Sequence, residues 1–128
     1  MAKKFPKKCK IYKLPIYNIP VIFFTDKKEF INAEKFMGAH DGNTFHGTGG
    51  YVGRYEDLET GEVTIMIGVF EHEYNFLVHE LLHATVFICD TCGIKMDTQN
   101  HEAWCYIIGD LMDAFKVYFD EALGSKNV

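Results

Sequence analysis

The sequence lacks any run of apolar residues long enough to cross a membrane, which takes about 20 consecutive residues. Its N-terminus carries lysines but no hydrophobic stretch followed by a cleavage site, so it does not have the pattern of a secretory signal. These two absences favour the cytoplasm and argue against a membrane partner. The chain also lacks repeats and low-complexity segments, and its 128 residues are the length of one domain.

Acidic residues are absent from the first thirteen positions, which instead hold six of the thirteen basic residues, all of them lysines. The rest of the chain carries seven basic and eighteen acidic residues, a balance of −11. A basic arm (residues 1–13) on an acidic body can contact nucleic acid or an acidic partner, but more often it is solvated or folds back on the acidic surface of its own chain. Because the arm has no arginine and no nucleic-acid-binding signature accompanies it, nucleic-acid binding is the weaker interpretation.

Cysteine is scarce, and only Cys89 and Cys92 have the CxxC spacing that is typical of a zinc site or a redox pair. A structural zinc site takes four ligands, and the chain has no second CxxC. The pair also falls near the end of a predicted helix, without the strand-to-helix setting of a redox motif. The sequence therefore predicts reduced, partly buried thiols at both positions.

Hydrophobic periodicity and turn residues predict an α+β fold. Strands are expected at residues 11–14 and 17–25, and a hairpin of strands 51–57 and 63–70 is expected around residues 59–62. A helix capped by Asp26 is predicted at residues 27–37, and residues 39–50, rich in glycine and histidine, are predicted as a loop. The expected architecture is a small twisted, mostly antiparallel sheet with one helix, packed against two long helices.

The first of these long helices carries an HExxH motif, in which His79 and His83 flank Glu80. Residues four apart lie on the same face of a helix, so the two imidazoles can bind one metal ion while the glutamate activates a water. The helix is predicted to begin at a cap by Asn75 and to end at Gly93. It is apolar nearly all round and therefore buried, and metal ligation would satisfy its polar side chains.

A catalytic zinc site takes three protein ligands and keeps one position open. The second long helix, predicted to start after a cap by Thr98 or Asn100 and to run to about Leu123, offers His101 and Glu102 for the third position. Helical periodicity favours His101, because it extends the apolar stripe of that helix whereas Glu102 lies about 100° away.

The two helices together, over about residues 76–109, resemble the gluzincin metallopeptidases. In that clan a downstream helix supplies a glutamate as the third zinc ligand, which here matches Glu102 and leads us to prefer it over His101. The sequence departs from the family at Tyr106, which stands where the family has an aspartate that hydrogen-bonds a zinc-bound histidine. The Tyr106 hydroxyl or, one turn later, Asp110 would have to take that role. It also implies a minimal zincin-like fold in which the strand at residues 64–70 is a peptide-binding edge of the sheet.

The resulting expectation is a single-domain zinc metallopeptidase acting on a peptide or protein. His79, His83 and Glu102 bind one catalytic Zn²⁺, and Glu80 is the general base. The residues that could stabilise the oxyanion are Tyr106, His101, His72, Tyr74, His40 and His46. The alternative is a catalytically silent zinc-binding module that acts through protein–protein interaction, and the intact Glu80 argues against it.

Overall fold

The computed structural model describes residues 8–37, 41–47 and 49–124, with only the backbone described for residues 41–46. Within them the chain forms five strands and three α-helices. In chain order these are β1 Lys10–Leu14, β2 Ile19–Phe24, α1 Lys27–Phe36, β3 Asp41–His46, β4 Gly50–Glu56, β5 Val63–Val69, α2 Tyr74–Cys92 and α3 His101–Leu123. No helix in the described part of the chain is both long and apolar enough to cross a membrane.

The strands form one sheet in the order β1-β2-β5-β4-β3. Only β2 and β5 pair in parallel, and the other three pairs are antiparallel. This arrangement of a mostly antiparallel sheet and three helices confirms the predicted α+β class.

The interior strands are covered on both faces, and their side chains alternate between two cores as the period of two requires. In β2, Val21 and Phe23 join the large core beneath α2 and α3. Their neighbours Ile22 and Phe24 join the smaller core beneath α1. Burial on both faces explains why β2 reads as a continuous apolar run instead of an alternating one.

Helix boundaries follow the predicted caps in part. The Asp26 carboxylate accepts hydrogen bonds from the backbone N–H of Lys28 and Glu29, which confirms the cap of α1. The predicted cap by Asn75 is wrong, because the N–H groups of residues 76 and 77 already donate to the Glu73 carbonyl and the helix begins one residue before Asn75. Gly93 ends α2 in the left-handed conformation at φ 72°, as predicted.

Two predictions about the strands are wrong. Residues 39–50 were expected to be a loop, but Asp41–His46 form β3, which pairs with β4 from Asp41 opposite Glu56 to His46 opposite Tyr51. The strand before α2 was expected to be an edge, but β5 pairs with β2 on one side and β4 on the other. Because both of its hydrogen-bonding sides are used, β5 cannot accept the main chain of a peptide.

Helices α2 and α3 lie antiparallel on the same face of the sheet. The Tyr74 hydroxyl at the start of α2 donates to Asp120 near the end of α3 at 2.7 Å, and the rings of Tyr74 and Phe119 are 5.9 Å apart. His72 also bonds to the Asp120 carboxylate at 2.9 Å. Since only residues 93–100 connect the other two helix ends, the start of α3 must lie beside the end of α2.

Candidate metal centre

His79, Glu80 and His83 come together on one flank of α2, with one potential ligand atom from each lying within 4.8 Å of the others. The Nε2 atoms of His79 and His83 face each other at 3.1 Å. Two nitrogen ligands of one tetrahedral zinc ion, each 2.0–2.1 Å from it, lie about 3.3–3.4 Å apart. The two imidazoles are therefore arranged to within a few tenths of an ångström as ligands of one ion would be.

Glu80 is the most unusual side chain of the group. It is only 4 % exposed, and its Oε2 has no hydrogen-bond partner among the described residues. Burial raises the pKa of its carboxyl group, although the nearby His79 lowers it in part. A buried carboxylate oxygen to which no described residue donates costs free energy, and the adjoining cavity has room for a molecule that could donate to it.

The electrostatics of His83 favour the form that binds metals. Burial, together with the charge of His79, lowers the pKa of His83 below its usual value. A lowered pKa keeps the imidazole neutral at physiological pH, and the neutral ring is the ligand. His79, in contrast, is exposed and accessible from solvent.

A glycine-rich turn between β3 and β4 forms the opposite wall of the site. Gly47, Gly49 and Gly50 line a cavity of about 240 Å³ together with Phe76, His79 and Glu80. A Cβ atom on Gly50 would lie 2.7 Å from Glu80 Cγ and 2.4 Å from the Gly68 carbonyl oxygen. The missing side chain is thus what lets this strand end approach and bury Glu80.

Sequence reasoning missed this wall. The density of glycine at positions 47–50 was its only signal in the sequence, and that signal was interpreted as a loop. A Cβ atom on Gly49 would lie 2.5 Å from the Phe76 ring. Phe76 and Glu80, the residues that pack against these glycines, come from a different segment of the chain. Local composition therefore could not predict the contact.

The structure does not bring Glu102 or His101 to the two histidines. Both are exposed at the start of α3, and neither belongs to the group formed by the three α2 side chains. His83 lies nine residues beyond Tyr74 and Glu102 lies eighteen residues before Asp120. At 1.5 Å per residue, and with Tyr74 beside Asp120, Glu102 is displaced by about 13 Å along the helix axes from His83.

The other predicted site residues also lie elsewhere. Tyr106 is 74 % exposed and lines a groove between α3 and the β1–β2 turn, and Asp110 in the same groove accepts a hydrogen bond from the Tyr12 hydroxyl at 2.7 Å. His72 and Tyr74 both bond to Asp120. His40 and the side chain of His46 lie outside the described residues.

The cysteine pair is separate from this group. Cys89 is buried and Cys92 is partly buried, and both are free thiols. Burial raises the pKa of both thiols, which makes them less reactive than an exposed cysteine at neutral pH.

Comparison with protein-family models, with curated proteins and with solved structures found no match. The chemistry of the site therefore has to be argued from its own geometry. That geometry provides two imidazole nitrogens 3.1 Å apart, one buried carboxylate beside them and a small cavity lined by His79 and Glu80.

Proposed function

We propose that the protein is a zinc-dependent hydrolase that cleaves peptide bonds in a peptide or protein substrate. His79 and His83 bind the ion, and Glu80 is the general base. The observation that carries the proposal is the buried Glu80 oxygen without a partner, placed beside two imidazole nitrogens 3.1 Å apart. A fold selected only for stability gains nothing from an unpartnered buried carboxylate.

Zinc, when bound, supplies a Lewis acid that polarises the scissile carbonyl and makes a water more acidic. Glu80 accepts a proton from the attacking water as the oxygen forms its bond to the carbonyl carbon. The carbon–nitrogen bond then breaks, and Glu80 returns the proton to the leaving amine nitrogen. Burial raises the pKa of the Glu80 carboxyl in the metal-free protein, and a bound zinc ion would oppose that shift because its charge favours the ionised carboxylate.

The ligand set of the described residues differs from the usual three protein ligands. Within reach of the two histidines, the only further His, Cys, Asp or Glu side chain of the described part of the chain is Glu80 itself. Glu80 would therefore be either the base or a third ligand, and the two roles have different experimental consequences.

A second candidate, a zinc-binding module that contacts a partner and cleaves nothing, is supported by a different observation. Val78, Leu82 and Val86 form a stripe at four-residue spacing along α2, next to the histidines, and each is 44–45 % exposed. Such an exposed apolar stripe fits a contact with another protein. The enzyme remains our preferred function because this stripe does not explain the burial of Glu80.

The variant Glu80→Gln separates these possibilities. We expect it to retain zinc near the wild-type ratio and to lose about 10²–10⁴-fold in kcat/KM on a quenched-fluorescent peptide mixture, since the amide cannot take up a proton. Glu73→Gln, which changes an exposed acid at the N-terminus of the same helix, should leave both quantities unchanged.

Two results would contradict the proposal. Loss of zinc in Glu80→Gln would make Glu80 a ligand and remove it as the base. Absence of zinc-dependent cleavage by the wild-type protein on peptide mixtures and unfolded proteins, with zinc bound, would favour the silent module.

A further inference from the structure

A second concave surface lies on the far side of α3 from the metal centre. Its walls are the β1–β2 turn, which contributes Ile16 and Tyr17, and the first half of α3, which contributes Tyr106, Gly109 and Asp113. We name it the α3 groove, and its volume is about 650 Å³. It shares no lining residue with the cavity beside Glu80.

The walls of the α3 groove expose large apolar side chains. Ile16 is 94 % exposed and Tyr106 is 74 % exposed, and neither belongs to a core cluster of the described residues. The wall positions are nevertheless fixed, because the Tyr12 hydroxyl in β1 donates to Asp110 in α3 at 2.7 Å across the base of the groove. Apolar surface held open in this way is typical of an interaction site.

Gly109 has no side chain to project into the groove, so the backbone of α3 is exposed there. A Cβ atom at this position would meet no other atom within 4 Å, so no internal contact requires a glycine there. Glycine in a helix interior costs roughly 1 kcal/mol relative to alanine. Close approach of an external chain to the α3 backbone would account for this residue, as no packing inside the protein does.

The charge of the groove is of one sign. Asp110 and Asp113 lie in its wall, and no lysine or arginine lines it. Asp113 forms no hydrogen bond or ion pair with another residue of the described chain, and Glu102 adds a further exposed acid one turn before Tyr106. An occupant that complements this surface carries positive charge beside an apolar side chain.

We propose that the α3 groove binds a basic peptide segment of another protein, in which lysine or arginine alternates with apolar residues. The apolar side chain packs against Ile16 and Tyr106, and the basic side chains face Asp113 and Asp110. The proposal does not depend on the metal centre, because the two sites have no residue in common. It also gives Tyr106 a role that the metal centre does not.

The test uses the full chain and a short fluorescein-labelled peptide of alternating lysine and leucine, with binding followed by fluorescence anisotropy. We expect saturable binding that weakens in high salt, since the charges at the rim are screened. A peptide of alternating glutamate and leucine tests the sign of the charge, and a peptide of alternating lysine and serine tests the apolar contribution. Both control peptides should bind at least about tenfold more weakly, because the first lacks the positive charge and the second lacks the apolar side chains.

Variants locate the binding site. Asp113→Lys should weaken binding of the lysine–leucine peptide about tenfold, whereas Glu59→Lys, the same charge change on the exposed β4–β5 turn, should not. Gly109→Leu should block the groove without lowering the melting temperature, because the added side chain enters open space and leucine favours the helix more than glycine does. Together these variants separate a loss of binding from a loss of folding.

Three outcomes would overturn the proposal. Equal binding by Asp113→Lys and Glu59→Lys would show a nonspecific charge effect, and tight binding of the glutamate–leucine peptide would show the wrong partner chemistry. Self-association of the wild-type chain that Gly109→Leu abolishes would show that a second copy occupies the groove instead of a basic peptide.

Discussion

Helices α2 and α3 pack on the same face of the sheet, yet their acidic residues are in opposite situations. On α2, Glu80 is buried and its Oε2 has no partner among the described residues. On α3, Asp110 accepts a hydrogen bond from Tyr12, while Glu102 and Asp113 are exposed to solvent. Of these acids, Glu80 alone combines burial with an oxygen that no described residue donates to, and this arrangement, which costs free energy, is the stronger sign of chemistry.

The glycines of the two regions show the same contrast. Gly50 is required by the structure, since a side chain there would collide with Glu80 and with the Gly68 carbonyl. Gly109 is not required by anything inside the molecule. Other segments of the protein therefore pack closely against the α2 flank at Glu80, whereas no other segment packs against the α3 flank at Gly109.

The largest expected effect is the difference in zinc affinity between variants of α2 and variants of α3. We expect His79→Ala and His83→Ala to lower zinc affinity by at least about a hundredfold, because each removes one of two converging nitrogens. Glu102→Ala should retain zinc, since Glu102 lies about 13 Å along the helix axes from His83. Elemental analysis and a competition titration with a chelator measure both quantities.

His101→Ala is the matched control on the α3 side, because it removes an imidazole from the position next to Glu102. Retention of zinc in this variant would confirm that α3 supplies no ligand. Loss of zinc in Glu102→Ala, with the fold intact by circular dichroism, would mean that α3 slides along α2 when the ion binds, and the contrast between the two helices would then fail.

Local sequence patterns predicted the parts of the molecule that local interactions determine. Asp26 was identified as a cap because its carboxylate bonds to N–H groups two and three residues away. The pairing of His79 and His83 was predicted because the spacing of four places them on one helix face. Neither inference needs to know how distant segments are arranged.

The predictions were wrong where the structure depends on contacts between segments that are distant in the sequence. Residues 41–46 have little strand pattern, and β3 exists because β4 offers a free edge for its backbone. Glu102 was preferred because of the resemblance to the gluzincins, whereas periodicity favoured His101. Neither pattern contains the displacement of α3 along α2, which depends on the contact between Tyr74 and Asp120. Gly50 was assigned to a loop from the local composition, which gives no sign that Glu80 packs against it in the structure.

Substitutions of Gly50 and Gly109 provide a second test of the difference between the α2 and α3 flanks. We expect them to change the free energy of unfolding in opposite directions. Gly50→Ala should lower the free energy of unfolding by about 1–3 kcal/mol or more, because the backbone oxygen of Gly68 cannot move aside cheaply. Gly109→Ala should raise it by about 1 kcal/mol, since the methyl group enters open space and the helix gains propensity. Urea denaturation of the metal-free variants measures both changes, and equal changes at the two positions would show that the α2 flank is not closed as described.

The smallest effect concerns the cost of burying Glu80. Burial raises the pKa of this carboxyl, so the folded state binds the proton more tightly than the unfolded state, and the ionised group destabilises the fold above the folded-state pKa. Metal-free Glu80→Gln should therefore be more stable than the wild type at neutral pH, by on the order of 1 kcal/mol.

This stability difference should shrink as the pH falls through the folded-state pKa of Glu80 and should continue to shrink below the unfolded value of about 4.3, where the wild-type carboxyl becomes protonated in both states. Asp113→Asn on the exposed flank of α3 is the control and should not be more stable than the wild type at pH 7, because its side chain is exposed to solvent. Thermal melts of the three proteins in chelator, from about pH 4 to pH 8, measure the difference. A Glu80→Gln variant that is less stable than the wild type at pH 7 would show that the carboxylate has a stabilising partner, and the strongest argument for chemistry on the α2 flank would be lost.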